Sequence, residues 1–419
     1  MNTEEKKQFD EILETLGENL DISQTQFDAA VKSYQTVGQY LCNDDSELAS
    51  YQPEIRPQGS FILGTMIKPI CEEDDLDIDL VCQLTKKKES WTQKDLKDIV
   101  GNELRKHKLY SDMLDKEGRR CWTLLYRRES EQAKEKYHMD ILPSIINEGY
   151  GIVLEKLFSH IGDDTNFDVS AIRITDKEER NYEIETDLDK WLKSNPFGYA
   201  KWFFNRAFLA STARTKLFSL SESVKPVPTF QKNKLPLQRV VQILKRHRDI
   251  MYADRDDKID KPISIIITTL AARAYNGEDN IIEALLNVVE KMHVMIGEEN
   301  PYTGERMKWI SNPANNEENF ADKWVAYPER QKNFYEWLEN LRQDLEDILN
   351  QRGKGLQFIN ESMKKRFGND LTNKTFRDYA LKTRDLTETN QIKVDKSTMT
   401  MGTVGMPIKK NNFEGENGK

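Results

Sequence analysis

QGSFILGTMIKPICEEDDLDIDLVCQL, running from Gln58 to Leu84, is the stretch on which the reading of the fold turns. Its second half alternates acidic and apolar residues and then becomes continuously apolar, a pattern that predicts a β-strand. Side chains alternate in direction along a strand. Asp75, Asp77 and Asp79 therefore share one face, and Leu76, Ile78 and Leu80 share the other. Aspartate is depleted in strands, and like charges crowded along one face repel. Divalent cations relieve such repulsion; the alternative is an exposed edge strand whose charges discourage aggregation. The upstream Gly59-Ser60 pair favours the first reading. Glycine lets backbone approach a phosphate closely, and Ser60 offers a hydroxyl and, at a helix start, an amide.

A second segment, YHMDILPSI from Tyr137 to Ile145, sets Asp140 amid apolar residues in another short strand, expected to stop at Pro143. If the two strands are neighbours, Asp140 faces Asp77 and Asp79 and completes an all-oxygen site. Such a site suits two Mg²⁺ ions, with Mn²⁺ as a substitute, in an in-line phosphoryl displacement. Asp140 is also placed to accept the proton of an attacking ribose hydroxyl. A Gly-Ser pair alone means little. Followed by an Asp-hydrophobic-Asp strand and then by a lone strand Asp, it is specific.

Outward from these strands the organisation is α+β. Phe9, Ile12, Leu13, Leu16 and Leu20, then Phe27, Val31, Tyr34 and Val37, recur at helical spacing, with a break expected at Asp21 to Gln24. RCWTLLY and FDVSAIRIT supply further strands, and WTQKDLKDIVGNELRKH reads as helix. The Ser/Lys/Pro-rich stretch between Ser219 and Pro236 predicts a linker. Beyond it the folded part reads as helical: Leu237, Val240, Val241, Leu244, Arg248 and Met251 form one stripe, Pro262 opens a second helix that Gly277 caps, and Gln331 to Leu349 gives a third. The division is thus 1–50 helical segment, 51–218 strand-bearing core, 219–236 linker, 237–386 helical lobe and 387–419 polar, mobile tail.

With 419 residues the chain is long enough to divide into two lobes. The net charge of −9 argues against a protein that coats nucleic acid, while leaving room for a local basic groove. Four scattered cysteines and five histidines show no zinc-ligand spacing, so reduced thiols are expected. No apolar run approaches a membrane span and the start has no leader-like core; the expectation is a cytoplasmic protein.

QGSFILGT at Gln58, DLDIDLV at Asp75, MDILPS at Met139, LPLQRVVQILKRHRD at Leu235, KPISIIITTLAA at Lys261 and NPANNEENFADKW at Asn312 together resemble the polymerase-β-like nucleotidyltransferases, and within them the cGAS/DncV-like enzymes (CD-NTases) of bacterial anti-phage (CBASS) signalling. The resemblance covers most of the chain up to about Lys323. It implies a nucleotidyltransferase core packed against a helical lobe, bridged by the N-terminal helix, that condenses NTPs, ATP among them, into a cyclic di- or trinucleotide second messenger. It further implies Asp77, Asp79 and Asp140 as catalytic metal ligands and Gln58, Gly59 and Ser60 as triphosphate contacts. By position Lys245 and Ser264 resemble the lysine and serine with which the helical lobe holds the donor triphosphate. Without the resemblance, Lys245 reads more naturally as a solvated cation of LKRHR, and Ser264 serves either a phosphate or its own helix's amides.

Asp75/Asp77 and Asp77/Asp79 are both open as the metal pair. The second is preferred because DLVCQL continues directly from Asp79, as in the similar oligoadenylate synthetases. The family also implies an effector that binds the product and an accessory protein on the tail, with no stable DNA or RNA and no membrane. A tRNA-tailing or protein-nucleotidylating transferase, or an inactive scaffold, are the competing readings.

Overall fold

The computed structural model describes residues 1–70, 76–126, 137–146, 170–209, 230–388, 393–394, 401–402 and 406–407. Two capped helices open the chain, α1 (Thr3–Leu20) and α2 (Gln24–Leu41). Asn2 with Glu5 and Ser23 with Gln26 form reciprocal capping boxes, which satisfy the first amides of each helix and fix the break between them. The break joins two cores. Phe9, Ile12, Leu13, Leu16 and Leu20 of α1 pack with the helices of the second half of the chain, whereas Phe27, Ala30, Tyr34, Val37 and Leu41 of α2 pack against the sheet.

The sheet half contains β1 (Glu54–Pro57), the single turn α3 (Gly59–Leu63), β2 (Leu76–Leu84), α4 (Gln93–Lys106), α5 (Lys108–Met113), β3 (Trp122–Tyr126), β4 (Tyr137–Ile145), β5 (Ile172–Ile174) and β6 (Lys193–Ser194). The strand order is β1-β2-β4-β5-β6, with β3 also paired to β4. β2 and β4 run parallel in the centre, with Asp79 opposite Asp140 and Asp77 opposite His138. Ile78, Leu80, Cys82 and Leu84 point into the core under α2 and α4, and Val81 and Leu142 pack on the other face with Ile172, Ile174 and Phe197. The same face that buries Val81 therefore presents Asp77 and Asp79 one step earlier along the strand.

Pro143 does not stop β4. Just beyond the strand, the Ile146 amide donates to the Leu84 carbonyl at 2.9 Å, so by alternation the Pro143 nitrogen faces away from β2. On that side β3 has ended at Ile141 and β5 begins only at Ser144, so no ladder hydrogen bond is required of the proline.

The other half holds α6 (Pro196–Ala207), α7 (Pro236–Tyr252), α8 (Ser264–Ala274), α9 (Ile281–Lys291), two hairpins made of β7 (Gly297–Glu299) with β8 (Arg306–Trp309) and β9 (Ser311–Asn312) with β10 (Asn315–Asn319), then α10 (Pro328–Leu349), α11 (Leu356–Phe367) and α12 (Asn369–Glu388). Three details differ from the sequence reading. α6, numbered within the expected strand-bearing core, buries Tyr199, Ala200, Phe203, Phe204 and Ala207 among the helices, because its apolar residues match that stripe. The helix expected to open at Pro262 starts at Ser264. The hairpins interrupt what was read as wholly helical: Asn and Glu in NPANNEEN disguise strands held by side-chain hydrogen bonds, such as Asn319 Oδ1 accepting from the Ile310 amide at 2.8 Å. In the expected mobile tail, Lys393–Val394 pairs with both Met401–Gly402 and Met406–Pro407. Most of the expected linker and Asp75 lie outside the described residues.

Candidate active site

Between the halves lies a cleft of about 820 Å³. Gln58, Gly59, Ser60, Asp77, Asp79, Lys245 and Ser264 all line it, so residues far apart in sequence meet there. Asp140 stands beside Asp77 and Asp79: each of the three offers a carboxylate oxygen within 4.8 Å of the others. Thr123, its cross-strand partner, donates its hydroxyl to Asp140 Oδ1 at 2.5 Å and so orients the carboxylate.

The Gly-Ser turn is built onto this cluster. The Gln58 amide donates to the Asp79 carbonyl at 2.8 Å. Gly59 has φ +62°, and a Cβ there would lie 2.3 Å from Asp79 Oδ2. Glycine is thus required by the backbone and by the carboxylate pressed against it, a reason distinct from the phosphate approach read from sequence. α3 has only five residues, too few for a strong helix dipole, so attraction of an anion to Ser60 rests on local N–H groups.

Electrostatically the cluster is strained. Burial, followed by the charges of Asp77 and Asp140, pushes the Asp79 carboxyl up to about 7. Asp77 is raised by burial and then by Asp140. A divalent ion fits this set, since all donors are hard oxygens and a double positive charge would reverse the upward shifts. On the opposite wall Lys245, only 5% exposed, donates to the Thr65 carbonyl at 3.1 Å and makes no ion pair among the described residues. Burial, with the nearby Arg248 charge, pushes its ammonium down to about 7. A phosphate would supply the missing counter-charge.

Four further cations line the cleft: Lys68, Arg248, Lys258 and Lys261. Arg248 donates to Ser264 Oγ at 2.9 Å and to the Pro262 carbonyl at 3.0 Å, tying Ser264 to the α7 wall. Sequence reading had placed Arg248 in an apolar stripe; its spacing of three from Lys245 was the available signal. Glu318 also faces the cleft, with Asn312 Nδ2 donating to its Oε2 at 2.8 Å and burial raising its carboxyl above the usual range. Nothing in NNEEN singles it out before the hairpin is folded.

A mixed sheet carrying three carboxylates, packed against a helical lobe that turns cations toward them, is the architecture of a polymerase-β-like nucleotidyltransferase, and this chain has that fold. Residues 7–154 match the Second Messenger Oligonucleotide or Dinucleotide Synthetase domain. A c-di-GMP synthase of Roseivirga ehrenbergii is 28% identical over 366 residues, which are 87% of this chain and 85% of that protein. Among solved structures, the CD-NTase CdnG of Bradyrhizobium diazoefficiens in complex with GTP superposes with a TM-score of 0.61 at 18% identity, covering 89% of this chain and 99% of that one. CdnC of Escherichia coli MS115-1 with ATP gives 0.55 at 14% identity, covering 85% and 96%. The chain is thus similar to the cGAS/DncV-like nucleotidyltransferases in sequence over residues 7–154 and in fold, and these matches support an enzyme that makes cyclic oligonucleotides. No helix among its described residues is long and apolar enough to cross a membrane.

Proposed function

We propose that this enzyme closes two molecules of GTP into a cyclic dinucleotide of the c-di-GMP type, a second messenger in defence against phage that a downstream effector reads. The observation that carries the reading is that Asp77 and Asp79, with Asp140 beside them, open onto a cation-lined cleft. The activity named for the Roseivirga relative favours GTP over the ATP expected from the family.

Asp77, Asp79 and Asp140 would hold two Mg²⁺ ions, which when bound acidify the attacking hydroxyl and offset charge on the leaving oxygen. In each of two steps a ribose hydroxyl of one nucleotide attacks the α-phosphorus of the other. Its proton passes to Asp140, the new P–O bond forms, and the bond to the β-phosphate breaks with release of diphosphate. Lys245 and Arg248 draw the triphosphate to the helical wall, Ser264 is held against them by Arg248, and Gln58, Gly59 and Ser60 approach from the sheet side. Because the cleft positions both partners, the same carboxylates serve joining and ring closure.

Incubating the purified protein with each NTP combination and Mg²⁺ or Mn²⁺ tests this. The expected product from GTP alone is a phosphatase-resistant species with the mass of a cyclic dinucleotide. A phosphatase-sensitive linear ladder, or strict dependence on added RNA, would overturn the proposal.

A further inference from the structure

Three side chains of α7 fasten the segment that follows the Gly-Ser turn. Gln238 Nε2 donates to the Leu63 carbonyl at 2.8 Å, Gln242 Nε2 to the Met66 carbonyl at 2.7 Å, and Lys245 Nζ to the Thr65 carbonyl at 3.1 Å. Spaced by four and three, they lie on one helix face. The middle one is set from outside the cleft. Gln242 Nε2 also donates to Asp21 Oδ1 at 2.8 Å, and its Oε1 accepts from Arg239 Nη1 at 3.0 Å. Asp21 Oδ2 accepts from Arg239 Nη1 at 2.8 Å, and Lys234 donates to Oδ1.

Asp21 sits at the break between α1 and α2, where the chain passes from one core to the other, and is only 8% exposed. Arg239 is fully buried, anchored also to Glu14 Oε1 at 3.0 Å, and leaves no room at Gly17, where a Cβ would lie 2.5 Å from its Cδ. The Lys68 amide closes the circuit by donating to the Leu20 carbonyl at 2.8 Å.

We infer that Asp21 is a positioning residue for nucleotide binding: through Gln242 it fixes the Leu63–Lys68 segment against which the Lys245 ammonium rests. Both amide hydrogens of Gln242 are engaged only while the Asp21 carboxylate accepts one of them; with an amide there, Gln242 has competing orientations and Met66 loses its donor. The inference rests on Lys245 as a triphosphate contact.

The test compares Asp21→Asn, Gln242→Met and the double variant in steady-state synthesis, with Tm measured in parallel. Each single variant is expected to raise KM for the NTP about tenfold with kcat within about twofold, as for the loss of one charge-assisted hydrogen bond. The double variant should be no worse than either single, since both break the same connection. A lowered Tm with unchanged KM in both singles would overturn the inference, and so would additive effects in the double. Gln242→Met leaves the Asp21 ion pairs intact and gives the readout if Asp21→Asn does not fold. Wild-type protein inert toward every NTP would instead sink the proposed function, so the two failures are separable.

Discussion

Asp79 is costly to the fold, and the proposed chemistry depends on it. Its carboxyl ordinarily titrates near 3.8 and stands near 7 in the folded protein. Between those values the native state binds more protons than the unfolded chain, so stability falls as pH rises through that window and the penalty is complete above about 7. Metal-free Asp79→Asn should therefore melt higher than wild type at pH 8, with the gap closing toward pH 5. Mg²⁺ should raise the wild-type Tm and leave the variant's unmoved. The same variant, or Asp77→Ala, should lose at least about 100-fold in turnover while remaining folded; near-normal synthesis would remove the pair from the site. Lys245→Ala is expected to raise KM with a smaller change in kcat, since a buried cation on the triphosphate stabilises ground and transition states alike. Glu318→Gln probes base choice: a carboxylate accepts from the N1 and N2 hydrogens of guanine, so the variant's GTP-to-ATP preference in competition should fall about tenfold. An unchanged ratio would show that Glu318 does not read the base.

At the scale of elements, the carboxylate strands were legible because alternation is written into DLDIDL, and a lone aspartate inside MDIL has no packing reason to be there. What escaped depended on contacts no local pattern encodes. Pro143 reads as a stop until the gap between β3 and β5 is seen, Arg248 reads as part of a core stripe until its helix is placed beside Ser264, and the β9–β10 hairpin is spelled in residues that usually mark loops. The tail makes a prediction of its own. Its described strands pair with one another, and none of its described residues lines the cleft. Ending the chain after Glu388 should leave synthesis in vitro within about twofold, because no bond made by its described residues reaches the cleft. A dead truncated enzyme would assign the tail a part in catalysis.

Across the whole molecule, the two cores are sewn together by α1, α2 and the Asp21 network rather than by the cleft alone. α1 is covered by residues that come much later in the chain. It packs on α9 and α12, and Asn19 and Thr15 accept hydrogen bonds from Lys374 and Lys382. On a ribosome adding roughly 5–20 residues per second, the interval between the emergence of α1 and that of α12 is on the order of 20–70 s. Until α12 is made the native cover of Phe9, Ile12, Leu13 and Leu16 stays incomplete, whereas α2 meets its sheet far sooner. During biosynthesis the first helix is thus fully housed only when the last one is made, and until then its uncovered side is open to capture by a chaperone or a neighbouring nascent chain.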